Sequence, residues 1–547
     1  MSGRGGRRAG LGRGAIAGLL AAGTALGVGQ FVAGLTGASG SPVVAVGELQ
    51  IDFAPPWLKN FAISEFGPDD KLVLVSGILV VLAIFAAVIG AAATRRMAYG
   101  MAGLAVFAVV GLTAAATRPT ASFTSLLPTL AAVAAAAAVL RVLIPLASPP
   151  VSLHVTAARP MVSFDPVTAP EPAVQEPAVQ EEPGELEPGG GYRPRRRSFL
   201  AAGAATAGIA AGAGLAGRLL AERSSVASAQ RSLRIPRPAV AAQALPPGVN
   251  LDIPGLAPFL TPNTDFYRVD TALVLPQVDP SSWQLRIHGM VNREITLTFE
   301  ELIKRPLIED YVTLCCVSNP VGGPYIGNAL WLGASLRAVL REAGIMAGAD
   351  QLMCTSVDGF ISGTPVQTVM DGRDALLAVA MNGQPLPVAH GFPARMVVPG
   401  LYGYVSATKW VTDINVTTFA GNYAYWAQRG WSQQATIKTE CRIDVPNGLN
   451  NLGAGTAAVA GVAWAQHKGI EAVQVRVDSG PWKQARLAAV PGIDTWRQWV
   501  WDWDATPGQH VLEARATDKT GYTQTSAQAQ PEPNGASGYP SVSVTVG

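Results

Sequence analysis

The sequence predicts an all-α membrane region followed by two globular parts, one of mixed α+β class and one an all-β sandwich. Three observations carry this. Four long apolar runs precede residue 148 with almost no charge in their interiors. After about residue 250, short strand and helix patterns mix without a regular βαβ rhythm. From about Thr436 the pattern turns to short alternating strands separated by turn signals. With 49% hydrophobic residues and a mean hydropathy of +0.26, the 547-residue chain is too apolar to be soluble throughout. Its net charge of +2 gives no electrostatic footprint for nucleic acid.

The apolar runs cover about 15–35, 72–93, 97–116 and 126–147, each near the length that spans a bilayer. Arg4, Arg7 and Arg8 precede the first, and Arg95-Arg96 lie between the second and third. The first loop instead holds Glu48, Asp52, Glu65, Asp69 and Asp70. The positive-inside rule therefore puts the N-terminus, the second loop and the region after the fourth run in the cytoplasm. None of the four carries the internal acid–base residues of an ion or proton path, so residues 1–147 read as a four-helix anchor in the cytoplasmic membrane.

Residues 148–197 form an acidic, proline-rich linker on the cytoplasmic side that cannot bury a core. It ends in Arg195-Arg196-Arg197-Ser198-Phe199-Leu200, followed by a weakly apolar Ala/Gly run. This pattern is that of a twin-arginine export signal, which implies the twin-arginine export machinery as a partner. A basic flank to a fifth membrane helix is the plainer alternative. Both send the helix within 198–229 outward and leave residues 230–547 outside. Ala227-Ser-Ala229 resembles a cleavage site, but Arg218, Glu222 and Arg223 favour an uncleaved anchor.

In the globular part, 272–275 and 283–289 read as strands, and Thr298-Phe-Glu-Glu301 opens a short helix with a capping box. A β-type run at 311–314 leads into Cys315-Cys316. Residues 329–342 follow with the helical spacing of Leu332, Leu336 and Leu340. A further strand is expected at 351–357, a short helical stretch within 371–380, and a turn at Met381-Asn-Gly-Gln-Pro385. Strands at 457–465, 472–477, 499–503 and 510–516, with Asp478-Ser-Gly-Pro and Pro507-Gly turns, suggest an immunoglobulin-like sandwich. Its dense tryptophans are expected in the core.

The chemistry centres on Thr313-Leu-Cys-Cys-Val-Ser-Asn319 and the loop Pro320-Val-Gly-Gly-Pro-Tyr-Ile-Gly327. A thiol at a strand end followed by bare glycines lets something bulky approach sulfur and backbone. A thiolate is a soft ligand, suited to a soft metal centre. From this segment alone, two small buried hydrophobes serve equally well. The four cysteines, at 315, 316, 354 and 441, contain no CxxC pair and make no disulfide framework.

Cys316-Val-Ser-Asn-x-Val-Gly-Gly323, then Ile326-Gly-x-Ala-x-Trp-x-Gly333, resembles the molybdenum-binding segment of the sulfite oxidase family of molybdopterin enzymes. The likeness covers roughly 250–547. It includes Asn263-Thr-Asp-Phe-Tyr-Arg268-Val-Asp270, the signature Leu377-Ala-x-x-Met-Asn-Gly-x-Pro-Leu-Pro387, His390-Gly-Phe-Pro-x-Arg395, Val398-Pro-Gly400-x-x-Gly403, and Lys409-Trp410.

The resemblance implies an α+β sulfite-oxidase-type molybdopterin domain at 230–432 and a dimerisation-type immunoglobulin-like domain at 433–547, hence a possible homodimer. It makes Cys316 the metal ligand and expects no ligand at Cys315. It implies pterin binding by Asn263, Arg268, Cys316, Ser318, Asn319, Gly322, Gly323, His390, Arg395, Gly403, Ser406 and Lys409. Arginine and lysine suit the phosphate, and His390 is expected to donate to the pterin ring or phosphate. Eukaryotic sulfite oxidases carry a tyrosine near the metal where this chain has Phe360, which puts sulfite in doubt as substrate. Arg429, in Tyr423-Ala-Tyr-Trp426-x-x-Arg429-Gly-Trp431, fits either an anionic substrate pocket or an interdomain seam.

The expected activity is oxygen-atom transfer with a two-electron change on a small molecule, with molybdenum-molybdopterin as cofactor. The five histidines, at 154, 288, 390, 467 and 510, all lie outside the apolar runs. No haem is therefore expected in this chain, and electrons pass to a separate redox partner. A sulfoxide-type reductase of the same fold and a metal-free extracellular scaffold are the rivals.

Overall fold

Runs of Ala, Val, Leu and Gly without charge leave a chain little choice but a helix that satisfies its own backbone. In the computed structural model, which describes residues 3–36, 41–55, 58, 70–118, 121–147, 194–223, 226–447 and 452–547, five helices are long and apolar enough to cross a membrane. They are Gly10–Thr36, Lys71–Ala93, Met97–Ala116, Phe123–Ala147 and Arg197–Leu220. An additional short helix, Pro42–Phe53, follows the first. Small residues let these helices approach closely: a Cβ on Gly18 would lie 1.9 Å from the carbonyl oxygen of Ala86. Of the expected linker 148–197, residues 148–193 lie outside the described residues and the last four belong to the helix Pro194–Arg223; the acidic loop positions Glu65 and Asp69 also lie outside the described residues.

The chain divides into two compact units. One comprises 1–43, 76–113 and 124–220; the other comprises 44–75, 114–123 and 221–547.

Within the second unit, the α+β part is built on two sheets. One runs in the order Ile295–Thr298, Gln284–Gly289, Val411–Thr417, Gln351–Ser356, Ile361–Pro365. Its neighbours are antiparallel except Gln284–Gly289 beside Val411–Thr417. The other runs Leu307–Cys315, Ile326–Ser335, Leu376–Met381, Gln384–Pro385, with Arg395–Val397 also paired to Leu376–Met381. One core joins them through Leu285, Ile287, Leu336, Leu340, Leu377 and Ile414. The capping box at Thr298 is present in full. Asn382 and Gly383, both at positive φ, make the expected turn.

Three sequence expectations differ from the structure. Residues 326–335 are strand, and the helix, capped by Ser335, starts only at Leu336. Leu332 therefore belongs to a strand buried almost along its whole length, where periodicity cannot tell strand from helix. Leu376–Met381 is likewise a fully buried strand; the short helix precedes it, at Val366–Met370. Residues 272–275 form no ladder, although Ala272 is buried.

The C-terminal region is β-rich. Glu440–Val445, Gly455–Trp464, Arg497–Ala505 and Arg486–Leu487 form one four-stranded antiparallel sheet. Lys483–Gln484, Ile470–Val477, Gly508–Asp518 and Ser541–Val546 form a second. Their apolar faces share one core, including Val459, Val475, Trp499, Trp503, Leu512 and Val544.

Candidate active site

The loops at the ends of these strands converge on a cavity of about 400 Å³. Cys315 is the last residue of its strand and points into the core, fully buried. Cys316, one step on, turns its side chain to the cavity; its N–H donates to the Tyr325 carbonyl at 2.9 Å. Burial pushes the Cys316 thiol up, while hydrogen bonds from Ser318 and the charge of Lys409 pull it down.

Arg395 opens the short strand Arg395–Val397 and is only 4% exposed. Its Nη1 donates to the His390 carbonyl at 3.0 Å and its Nη2 to that of Ala407 at 3.2 Å. The guanidinium lies 5.0 Å from the centre of the Trp331 ring. Among the described residues it has no carboxylate partner. Burial lowers its pKa to about 10.

His390 ends a 3-10 turn, Val388–His390. Gly391 follows at φ +111, and a Cβ there would lie 2.9 Å from the Cβ of Arg395, so glycine is required for this close approach. The His390 Nε2 faces the carbonyl of Asn263 at 3.2 Å. Since a carbonyl only accepts, Nε2 carries the proton and Nδ1 is left an acceptor while the ring is neutral. Burial, then Arg395 and Lys409, lower its pKa to about 4.

Lys409 precedes Trp410, a bulky residue held at φ +49 with its Nε1–H on the Val388 carbonyl. Such strain costs about 1–3 kcal/mol and persists only where the surroundings impose it. The neighbouring Lys409 reaches Asp270, its Nζ 2.6 Å from Oδ2. Arg268 Nε lies 2.8 Å from the same oxygen, and Lys71 Nζ 2.6 Å from Oδ1. Burial alone would raise the Asp270 carboxyl, but Lys409, Arg268 and Lys71 outweigh it and hold it far below the ordinary carboxylate range. Burial takes Lys409 down to about 8, with Asp270 opposing.

The expected residues Arg268, Cys316, Ser318, Phe360, His390, Arg395, Gly403 and Lys409 thus line one cavity. Others stand outside its lining. The Asn263 amide reaches Met381 and Asn382. Asn319 Oδ1 accepts from Tyr325 N and so shapes the cysteine loop. Gly322 and Gly323 lie in that loop, and the Gly323 carbonyl accepts from Arg442. The Ser406 hydroxyl donates to Leu401 and Tyr402 carbonyls. Arg429 stacks 3.6 Å over Tyr425 and bonds its carbonyl, while the Tyr425 ring packs 5.9 Å from Phe360.

Sequence reasoning gave no site role to several lining residues, among them Lys71, Tyr267, Asp270, Asp358 and Tyr404. The pKa of Tyr267 is raised well above its usual value, chiefly by burial and then by Cys316 and Cys315, so its phenol keeps its proton. The Arg268-x-Asp270 spacing was the one available signal for Asp270.

Residues 272–426 match the oxidoreductase molybdopterin binding domain family. Sulfite oxidase of Gallus gallus is 32% identical over 296 residues, covering 45% of this chain and 63% of that protein. A nitrate reductase of Oryza sativa subsp. japonica is 33% identical over 194 residues, 30% of this chain and 21% of that protein. The oxidoreductase YuiH of Bacillus subtilis (strain 168) is 30% identical over 168 residues, 31% of this chain and 81% of that protein. The chain belongs to the sulfite oxidase family of molybdopterin oxidoreductases. It spans about half the length of the mammalian sulfite oxidases it matches. As a sulfite oxidase family member it is an oxidoreductase with a molybdopterin-binding domain, a β-rich C-terminal region and N-terminal helices. The cavity fits the cofactor this family implies. A soft thiol and an uncompensated buried guanidinium share it, and three cations surround its one strongly ionised carboxylate.

Proposed function

We propose that this protein is a membrane-anchored molybdenum-molybdopterin oxidoreductase that transfers an oxygen atom to or from a small substrate outside the cytoplasmic membrane. The observation that carries this is the meeting of Cys316, Arg395, His390 and Lys409 in one cavity. The bound cofactor supplies the two-electron redox change and the oxygen-transfer centre. The Cys316 thiolate holds the metal. Arg268, Arg395 and Lys409 neutralise the pterin phosphate, Asp270 fixes two of them in place, and the His390 Nδ1 accepts a hydrogen bond. Phe266, Trp410, Trp426 and Trp431 wall the cavity. Relatives named for sulfite and for nitrate leave both reaction directions within the family's range.

We assign 230–432 to the catalytic domain and 433–547 to an immunoglobulin-like domain, supported by the two antiparallel sheets around one core. The membrane reading is supported by the five apolar helices and by the grouping of 44–75 and 114–123 with 221–547. The first of these segments lies in the acidic loop that charge assigns to the outside, and the second follows it there by alternation of the spans. The helix Pro194–Arg223 opens on the arginine run of the proposed export signal. A separate redox protein takes or gives the electrons.

Two experiments test the proposal. Purified full-length protein, screened with artificial electron donors and acceptors, is expected to turn over a small oxygen-atom donor or acceptor; inactivity of metal-loaded protein throughout a broad screen refutes the activity. Cysteines placed in the 148–193 linker and near residue 530 are expected to be labelled from inside and outside respectively. Labelling of the linker from outside intact cells refutes the topology.

A further inference from the structure

Three cations from separate stretches of chain meet on the Asp270 carboxylate, and one of them has no precedent in the motifs. Lys71 is 199 residues away, in the first turn of the helix Asp70–Ala93. It falls in the same compact unit as residues 221–547. Its Nζ donates to Asp270 Oδ1 at 2.6 Å and to the Ala272 carbonyl at 2.7 Å. Its side chain lines the cavity that holds Cys316 and Arg395.

Charge makes this arrangement informative. Asp270 is a single negative charge, and both its oxygens already face cations, Lys71 on one, Arg268 and Lys409 on the other. Leaving Lys71 out of the count, the cavity lining still holds three cations, Arg268, Arg395 and Lys409, against the carboxylates Asp270 and Asp358. A surplus held in a cavity is stabilised by an anion that enters it. A lysine at a helix start would ordinarily extend into water and keep its rotamer freedom. Lys71 is instead fixed by two short bonds, and its side chain is 26% exposed.

We propose that Lys71 is a cofactor-binding residue: with Arg268 and Lys409 it holds the phosphate of the pterin, so that the first turn of an apolar, membrane-type helix completes the catalytic cavity. This rests on the molybdopterin reading above. It makes the N-terminal region part of the enzyme's binding machinery as well as its anchor.

The test is pterin and molybdenum content per chain in purified full-length wild type, Lys71→Ala, Lys71→Gln and Lys71→Arg, with thermal unfolding to establish that each is folded. Loss of one charge-assisted hydrogen bond weakens retention about tenfold. After dialysis, Lys71→Ala and Lys71→Gln are therefore expected to lose most of their pterin, and Lys71→Arg to keep it. Wild-type pterin content in folded Lys71→Ala or Lys71→Gln overturns the proposal, including the case in which only KM changes and Lys71 serves the substrate. Wild type that carries no pterin overturns the molybdopterin reading itself, whatever the variants do.

Discussion

Asp270→Asn removes the charge on which Lys71, Arg268 and Lys409 converge. Breaking a buried ion pair from one side costs about 3–5 kcal/mol, because the partner is left buried without compensation. The side chains of Arg268 and Lys71 are 37% and 26% exposed and can turn to water; that of Lys409, 11% exposed, cannot. One stranded cation places the loss near the lower end, about 3 kcal/mol, or roughly 6–12 °C in Tm at about 2–4 °C per kcal/mol. The pH dependence has a definite sign. The Asp270 carboxyl is depressed in the folded state, so its contribution is present above its unfolded pKa and lost only as pH falls through the folded value. It does not vary between pH 6 and 9. Lys409, lowered to about 8 in the wild type by burial, loses the Asp270 attraction in the variant and sheds its proton more readily. The Tm difference should therefore be larger at pH 6 than at pH 9. Thermal unfolding of the full chain at both values, with pterin content as a second readout, measures it. An Asp270→Asn protein within about 1 °C of wild type at pH 6 with undiminished pterin would refute the hub.

Cys316→Ser should lose activity and metal, while Cys315→Ser, altering a core thiol, keeps both; the opposite pattern places the ligand one residue earlier. Phe360→Tyr adds a hydroxyl to the cavity lining. A hydrogen bond to a charged group is worth about 1.5–3 kcal/mol, so sulfite turnover should rise some ten- to a hundredfold. Rapid wild-type turnover unimproved by the tyrosine would show that another group, such as the Tyr267 phenol, already donates. Burial raises the Glu440 carboxyl to about 8, with Lys438 opposing. Its stabilising contribution is full below the unfolded value and lost as pH rises to 8, so resistance to denaturant should fall between pH 5 and 8. Glu440→Gln should flatten that slope by up to about 1.4 kcal/mol per pH unit.

Local physics made much of this readable in advance. The Thr298 capping box, the Asn382-Gly383 turn and the alternating strands after Thr436 are set by neighbours in sequence, and they stand where expected. Leu332 and Leu376–Met381 misled because a strand buried on both faces has no alternation to read. In the site, Cys316, His390, Arg395 and Lys409 sit in ordered motifs, and the fold brings them to one cavity. Lys71 sits in no such motif, and Tyr267, though inside the Asn263–Asp270 segment, was given no role there. The Lys71–Asp270 bond links positions 199 residues apart, and only the folded chain brings them together.

Cys316 and the surrounding cations are proposed to hold a molybdenum-pterin group. Elemental analysis for molybdenum, with pterin released from the same purified full-length sample, tests it most directly. Wild type is expected to carry about one molybdenum and one pterin phosphate per chain, with molybdenum lost in Cys316→Ser. Folded wild-type protein from molybdenum-replete cells containing neither would contradict it.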